Sequence, residues 1–182
     1  MVTDSTPSER GDAARNRELL LDAARRLIAE RGPDAVSTDD IAAAAGVGKG
    51  TLFRRFGTRA GLMMVLLAED AAAHQEAFMF GPPPLGPGAE PLERLLAYGR
   101  ERLRFVRCHQ ALLSDASRDP QMRWAGPAML HLAHVRMLLE SAGTTGDLDA
   151  QTDALSMLLE ADYVGHQLHH RSRRLEDLAA AW

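Results

Sequence analysis

The fold is decided by residues 37–62, which read STDDIAAAAGVGKGTLFRRFGTRAGL. Ser37 followed by Asp40 resembles a capping box at a helix start, with Asp in the place that Glu usually takes. Gly46 ends the alanine-rich helix that follows. A second short helix is expected to begin near Gly48 and to close at Gly57. The stretch therefore predicts two short helices joined by a tight glycine turn.

This pair of helices matches a helix-turn-helix, and its second helix is positively charged. An α-helix fits the major groove of DNA, where basic and hydroxyl side chains reach base edges and phosphates. Gly48 and Gly50 leave the helix start without side chains, so the backbone can approach a phosphate closely. Residues 46–60 hold no acid and four basic residues, Lys49, Arg54, Arg55 and Arg59. The pattern favours a local anionic partner such as DNA.

Helical patterning continues over nearly the whole chain. We expect a first helix from Asp12 to Arg31 and a long fourth helix from Arg59 to about Phe78. After the proline-rich loop 81–88, helices are expected near 90–109, 110–118, 121–142, 148–170 and 172–182. The prediction is an all-α fold of about nine helices, with an N-terminal three-helix helix-turn-helix domain and a C-terminal helical bundle.

Composition narrows the function classes. The chain has 182 residues, of which 46% are apolar and 25% charged, as in an ordinary globular protein. One cysteine, Cys108, leaves no internal disulfide. No stretch approaches the ~18 apolar residues of a membrane span, and the polar N-terminus is unlike a secretory signal, so a cytoplasmic protein is expected. We find no catalytic triad pattern, phosphate loop or dinucleotide fingerprint, so neither an enzyme nor a cofactor is expected.

Residues 37–62 resemble the DNA-binding domain of the TetR family of transcriptional regulators, and the resemblance covers about residues 15–68. It rests on Thr38, Ile41, Ala44, Gly46, Lys49, Gly50, Leu52, Phe56 and Leu62. It implies an all-helical homodimer, usually a repressor, with a small-molecule pocket in the C-terminal bundle. The implied organisation is a flexible arm at 1–11, a helix-turn-helix DNA-binding domain at 12–58, and a ligand-binding and dimerisation domain at 59–182.

The resemblance also implies which residues contact double-stranded DNA at a palindromic operator. A phosphate contact is implied at the start of the second helix, and further contacts at the start of the recognition helix and of the fourth helix. The implied set is Thr38, Lys49, Gly50, Thr51, Phe53, Arg54, Arg55 and Arg59.

Four of these positions carry a residue other than the one that is usual in the family. Phe53 stands where the family mostly has tyrosine, so the contact from that hydroxyl to phosphate is expected to be lost. Arg54 and Arg55 stand where tyrosine or histidine is commoner, and they could restore phosphate affinity or read guanine. Arg59 takes the usual lysine place and is expected to reach a phosphate.

The helices that the resemblance assigns to the pocket carry aromatic, methionine and histidine side chains. Such residues suit an apolar, adaptable pocket, so we expect a small hydrophobic or aromatic effector. Ordinary core packing is the alternative for each of them. The candidate ligand-binding residues are Phe78, Tyr98, Phe105, His109, Trp124, Met129 and His131.

Two alternatives stay open at this stage. His131 and His134 lie three residues apart on one helix, which allows a metal-responsive regulator, although no clear third ligand follows them and no metal site is predicted. A helical small-molecule-binding protein that has lost DNA recognition is the other, supported by Phe53 and by the short last helix. For the homodimer, a leucine stripe over 155–166 and the pair Leu175 and Leu178 are expected to form the interface.

Overall fold

The computed structural model of the chain describes residues 7–117 and 126–182. The helices are α1 (Pro7–Arg31), α2 (Thr38–Ala45), α3 (Lys49–Phe56), α4 (Arg59–Phe80), α5 (Pro91–Ser117), α6 (Gly126–Ser141), α7 (Leu148–Met157), α8 (Ala161–Gly165) and α9 (Leu175–Ala181). These residues contain no strand, and the predicted all-α fold of about nine helices is confirmed. None of the helices in the described ranges is long and apolar enough to cross a membrane.

The chain forms two compact units, Met1–Glu69 and Asp70–Trp182. The division falls inside α4, whereas the sequence placed a domain boundary just before that helix. Helix α1 begins at Pro7, five residues before the expected start at Asp12, so residues 7–11 of the expected flexible arm are helical.

The first unit packs its four helices around a small aliphatic core. Its members are 5% exposed or less and include Leu20, Ala24, Leu27, Ile28, Ile41, Leu52, Leu62 and Leu66. Burying each of the larger side chains contributes about 1.5–3 kcal/mol. Glu69 also ties α4 to α1, because its carboxylate accepts from Arg17 at 2.6 Å and from Arg25 at 2.8 Å. This packing fixes the orientation of α2 and α3, and hence of their exposed faces.

In the second unit, two expected helix boundaries are wrong. Residues 91–117 form the single helix α5 where two helices were expected, because neither proline nor glycine interrupts the chain near His109. The expected helix over 148–170 is broken, since α7 ends at Met157 and α8 begins at Ala161. A π-helical turn, His166–His170, then follows α8 directly.

This break changes the expected dimer stripe. Leu159 lies at the break and is buried in the core of its own unit, and Leu178 of α9 is buried in the same core. Leu155 and Leu175 pack against that core, while Leu158 remains 36% exposed. The expectation of a continuous leucine stripe for a partner subunit is therefore wrong, because most of these leucines are covered within one chain. The homodimer itself stays a prediction.

Helix α9 is held to α5 through Trp182. The indole Nε1 donates to the carbonyl oxygen of Leu95 at 3.0 Å. The indole ring lies directly over Gly99, where a Cβ would overlap it. A glycine at this position of α5 therefore makes room for the tryptophan.

Candidate functional site

The helix-turn-helix is built by local hydrogen bonds. Ser37 caps α2, with its side chain accepting from the Asp40 N–H at 3.1 Å while the Asp40 carboxylate accepts from the Ser37 N–H at 2.9 Å. Gly46 adopts the left-handed conformation at φ 65° and returns its N–H to α2. This conformation strains residues that carry a Cβ, which explains the glycine. The predicted cap and glycine turn are both present.

Helix α3 is amphipathic. Leu52 is fully buried in the first unit, whereas Phe53 is 39% exposed. Lys49, Gly50, Arg54 and Arg55 are also exposed. Four of the predicted DNA-contacting side chains and Gly50 thus share one solvent-facing surface, which we call the α3 face and which consists of Lys49, Gly50, Phe53, Arg54 and Arg55. Its charge is positive, and no acid lies on α3 itself.

Two of the cations are already paired within the chain. Lys49 Nζ lies 2.6 Å from Oδ1 of Asp39 on α2 and 6.0 Å from the centre of the Phe53 ring. Arg54 Nη2 donates to Thr51 Oγ1 at 3.1 Å. Both interactions are exposed to solvent, so little free energy is lost when Lys49 or Arg54 leaves its partner to bind a phosphate. The sequence analysis missed Asp39, because a pairing across ten residues and a turn leaves no periodic signal.

Arg59, the predicted phosphate contact of α4, makes hydrogen bonds within its own unit. Its guanidinium donates to the carbonyl oxygen of Pro33 at 2.6 Å and to that of Val36 at 3.3 Å. The short 3₁₀ turn Pro33–Ala35 between α1 and α2 presents these carbonyls. Arg59 therefore fastens the start of α4 to that turn, and a phosphate contact would have to share the same guanidinium. Thr38, at the start of α2, is half-buried.

Residues 20–64, which include α2, α3 and this exposed surface, match the family model described as bacterial regulatory proteins of the tetR family. This segment of the chain is therefore similar to the DNA-binding domain of TetR-family regulators.

Two curated regulators and two solved structures are similar to this chain. Uncharacterised HTH-type transcriptional regulators from two Mycobacterium tuberculosis strains are each 35% identical over 113 residues, which is 60% of this chain and 52% of the relative. The match thus spans about half of their length.

A protein from Saccharomonospora viridis described as a transcriptional regulator, solved with choline, is 18% identical with a TM-score of 0.65. The alignment covers 91% of this chain and 92% of that protein. AibR, solved with isovaleryl coenzyme A and operator DNA, is 19% identical with a TM-score of 0.52, covering 92% and 95%. At these identities the two structures establish the fold alone.

The second unit of the chain contains a cluster of aromatic and imidazole rings contributed by α4, α5 and α6. The ring centres of His74 and Phe105 lie 5.3 Å apart and nearly parallel, and those of Phe78 and His134 lie 4.5 Å apart. Tyr98 meets Phe78 edge-on at 5.4 Å. We call this set the ring cluster, and its members are His74, Phe78, Tyr98, Phe105, His131 and His134.

The structure brings together most of the candidate pocket residues. Phe78, Tyr98, Phe105 and His131 all belong to the ring cluster. His109 lies beside it, 4.9 Å from the Phe105 ring, and its Nε2 lies 3.0 Å from the Asp70 carboxylate. Met129 is 50% exposed and makes no ring contact among the described residues. Trp124 lies outside the described residues.

Hydrogen bonding and burial set the protonation of the cluster. The Tyr98 hydroxyl lies 2.7 Å from Nδ1 of His131. Burial, reinforced by the charge of Arg102, lowers the pKa of His74 to about 4 and that of His131 to about 3. Burial also lowers the pKa of His134 to about 4 and raises that of Tyr98. At neutral pH these groups are uncharged, so the Tyr98 hydroxyl can donate a hydrogen bond to Nδ1 of His131.

The sequence analysis missed His74 and Arg102 of this region and considered His134 only as a possible metal ligand. His74 and His134 are 6% and 4% exposed, and their Nε2 atoms find no hydrogen-bond partner in the structure as described. Arg102 stacks on Phe105, with its guanidinium carbon 4.9 Å from the ring centre. The available signal was spacing, since 98, 102, 105 and 109 fall on one face of a helix. In the part of the chain that the structure describes, no three His, Cys, Asp or Glu side chains are grouped to hold a metal.

Proposed function

We propose that the chain is a ligand-responsive repressor that binds a palindromic operator as a homodimer. The observation that carries the proposal is the exposed, positively charged α3 face within a TetR-family DNA-binding unit. In a homodimer, two such helices would enter successive major grooves about 34–36 Å apart. Release from DNA by a small hydrophobic or aromatic effector completes the proposal, and action on DNA would place the protein in the cytoplasm.

Gly50 is more specific evidence for DNA binding than the positive charge of the α3 face is. It lies inside α3 with a helical neighbour on each side, yet a Cβ at this position would meet nothing within 4 Å. Internal packing therefore gives no reason for a glycine, which costs a helix roughly 0.5–1 kcal/mol relative to alanine. Close approach of another molecule's backbone to α3 would give that reason, and a DNA phosphate fits the charge around it.

The individual contacts follow from the same surface. Lys49, Arg54 and Arg55 are the proposed phosphate or base contacts, with Thr38 and Thr51 adding hydroxyl groups. Lys49 would exchange Asp39 for a phosphate on binding. Phe53, 39% exposed, offers the operator an apolar surface where a hydroxyl is expected in the family. AibR was solved with operator DNA, which is consistent with DNA as the partner.

Effector binding is assigned to the second unit, where the ring cluster lies. Helix α4 begins in the first unit and ends beside the cluster, so one continuous element serves both. If the effector and DNA favour different arrangements of α4, each weakens the other by the same factor, typically worth ~1–3 kcal/mol. The choline and isovaleryl coenzyme A complexes of the two solved relatives are consistent with a small-molecule site.

The test is selection of binding sites from random DNA duplexes by the purified full chain. We expect enrichment of a two-fold symmetric sequence. Gly50→Ala should then weaken binding to that sequence by tenfold or more (about 1.4 kcal/mol) while the free protein becomes slightly more stable to urea. Gly11→Ala is the matched control, since Gly11 also lies in a helix with open space around it.

Each outcome decides something. If no sequence is enriched by a folded protein, DNA binding fails and the small-molecule-binding alternative takes its place. If Gly50→Ala binds the selected site as tightly as the wild type does, the α3 face is not the DNA contact.

A further inference from the structure

Arg102 is a cation placed among rings without a counter-ion. It lies on α5, one turn after Tyr98, and its side chain is only partly exposed. Its guanidinium stacks on Phe105. Across the described ranges it makes no ion pair or hydrogen bond. The adjacent carboxylate, Glu101, is paired with Arg104 at 2.8 Å, and Glu160 acts on Arg102 only at longer range.

This arrangement costs free energy unless an anion joins it. A charge withdrawn from water is expensive when it is unpaired, and burial lowers the pKa of this guanidinium as that cost requires. The surrounding imidazoles do not balance the charge of Arg102, because His74 and His131 are uncharged at pH 7. Arg102 therefore gives this region a positive charge beside the uncharged ring cluster.

His131 supplies a second donor toward the same region. In the tautomer in which Tyr98 donates to Nδ1, the neutral imidazole of His131 carries its proton on Nε2, which can then donate to a ligand. The His74 and His134 Nε2 atoms are buried without partners, so the cluster has polar capacity that the chain itself does not use. A carboxylate accepts several hydrogen bonds at once, and charged bonds from guanidinium to carboxylate are among the strongest in proteins.

We propose that the ring cluster binds an apolar or aromatic carboxylic acid, with Arg102 pairing the carboxylate, His131 donating to it, and Phe78 and Phe105 packing against the apolar body. The proposal rests on the effector role given to this unit under the proposed function. It restricts the class of proposed effectors from hydrophobic compounds in general to those that carry a negative charge.

The experiment uses two ligand series that differ only in the head group. One series is 4-phenylbutyrate, 4-phenylbutyramide and 4-phenylbutylamine, and the other is octanoate, octanamide and octylamine. Binding to the full chain is measured without DNA, by calorimetry and by thermal shift, up to about 1 mM. We expect at least one acid to bind, at least about tenfold more tightly than its amide, and the amine to bind least.

Substitutions of Arg102 test whether its charge binds the carboxylate of the ligand. Arg102→Met keeps an unbranched apolar side chain in the cluster and should weaken acid binding about tenfold, toward the affinity of the amide. Arg102→Lys keeps the charge and should recover part of it. Arg104→Met is the matched control, because it removes the same charge two residues away on an exposed part of α5. Circular dichroism melts establish that each variant is folded.

The outcomes separate this proposal from the proposed function. It is overturned if neither acid binds, if an amide or amine binds as tightly as its acid, or if Arg102→Met binds the acid unchanged. The ligand comparison on the wild type stands even if Arg102→Met does not fold. Acid binding without any weakening of the protein–operator complex would support the site and refute effector-controlled DNA release, whereas operator binding without acid binding would do the reverse.

Discussion

Acid should destabilise this protein through its buried imidazoles. The pKa of His74 is about 4 in the folded chain against 6.5 for a free side chain, so the unfolded state takes up the proton first as the pH falls. Between about pH 7.5 and pH 5 this difference removes about 2 kcal/mol of stability for His74 alone. His131 and His134 have similarly lowered pKa values and bring the total to about 6 kcal/mol. Such a loss is comparable with the whole stability of many domains.

The substitution His74→Phe isolates one of these contributions. The phenyl ring keeps the stacking with Phe105 and the edge-on contact with Phe78. It also removes a buried Nε2 that has no hydrogen-bond partner in the described structure. We therefore expect the variant to be at least as stable as the wild type at pH 7.5, and to lose about 2 kcal/mol less on going to pH 5.

Urea unfolding followed by circular dichroism at both pH values measures the difference. His169→Gln serves as the control, since it removes an exposed imidazole outside the ring cluster. Subtracting the pH-dependent change of the variant from that of the wild type cancels the contribution of the titrating groups that the two proteins share. Equal losses for wild type and His74→Phe would refute the reasoning, because His74 would then gain its proton as readily in the folded chain as in the unfolded one.

Three further predictions concern other parts of the chain. Ser37→Ala removes the side-chain cap of α2 and should cost about 1 kcal/mol in urea unfolding, while Ser37→Asn should restore most of it. Asp39→Asn frees Lys49, so affinity for the selected operator should rise and the salt dependence should steepen, and unchanged binding in a salt titration would contradict the proposed phosphate contact. Gly99→Ala should displace Trp182 and lower the thermal midpoint by several degrees for a cost of about 1–3 kcal/mol, and a midpoint equal to that of the wild type would show that the indole is not docked there.

The helix-turn-helix was predictable because its signals are local. Ser37, Gly46 and Gly57 each mark a helix end through a hydrogen bond or a backbone angle that depends on nearby residues. The break between α7 and α8 carries no such mark, since residues 158–160 contain neither glycine nor proline. Burial of Leu159 in the core accompanies that break, and sequence periodicity does not reveal such tertiary packing.

The candidate sites show the same limit. Phe78 and Tyr98 were named as ligand-binding candidates because aromatic residues on a helix are conspicuous, and that role stays a prediction. Arg102 was missed because an arginine on a helix is usually solvated, and only the structure shows that it has no counter-ion among the described residues. The phosphate contact of Arg59 stays a prediction, and its carbonyl partners were missed because they lie 23 and 26 residues earlier in the chain.

The docking of Trp182 against Gly99 also gives the protein an optical reporter. The chain has two tryptophans, Trp124 and Trp182. In a Trp124→Phe background, the emission spectrum would come from the indole that is bonded to the Leu95 carbonyl oxygen. Detachment of α9 would expose that indole to water and shift its emission to longer wavelength. Comparing this signal with circular dichroism during unfolding would show whether the last helix separates before the rest of its unit.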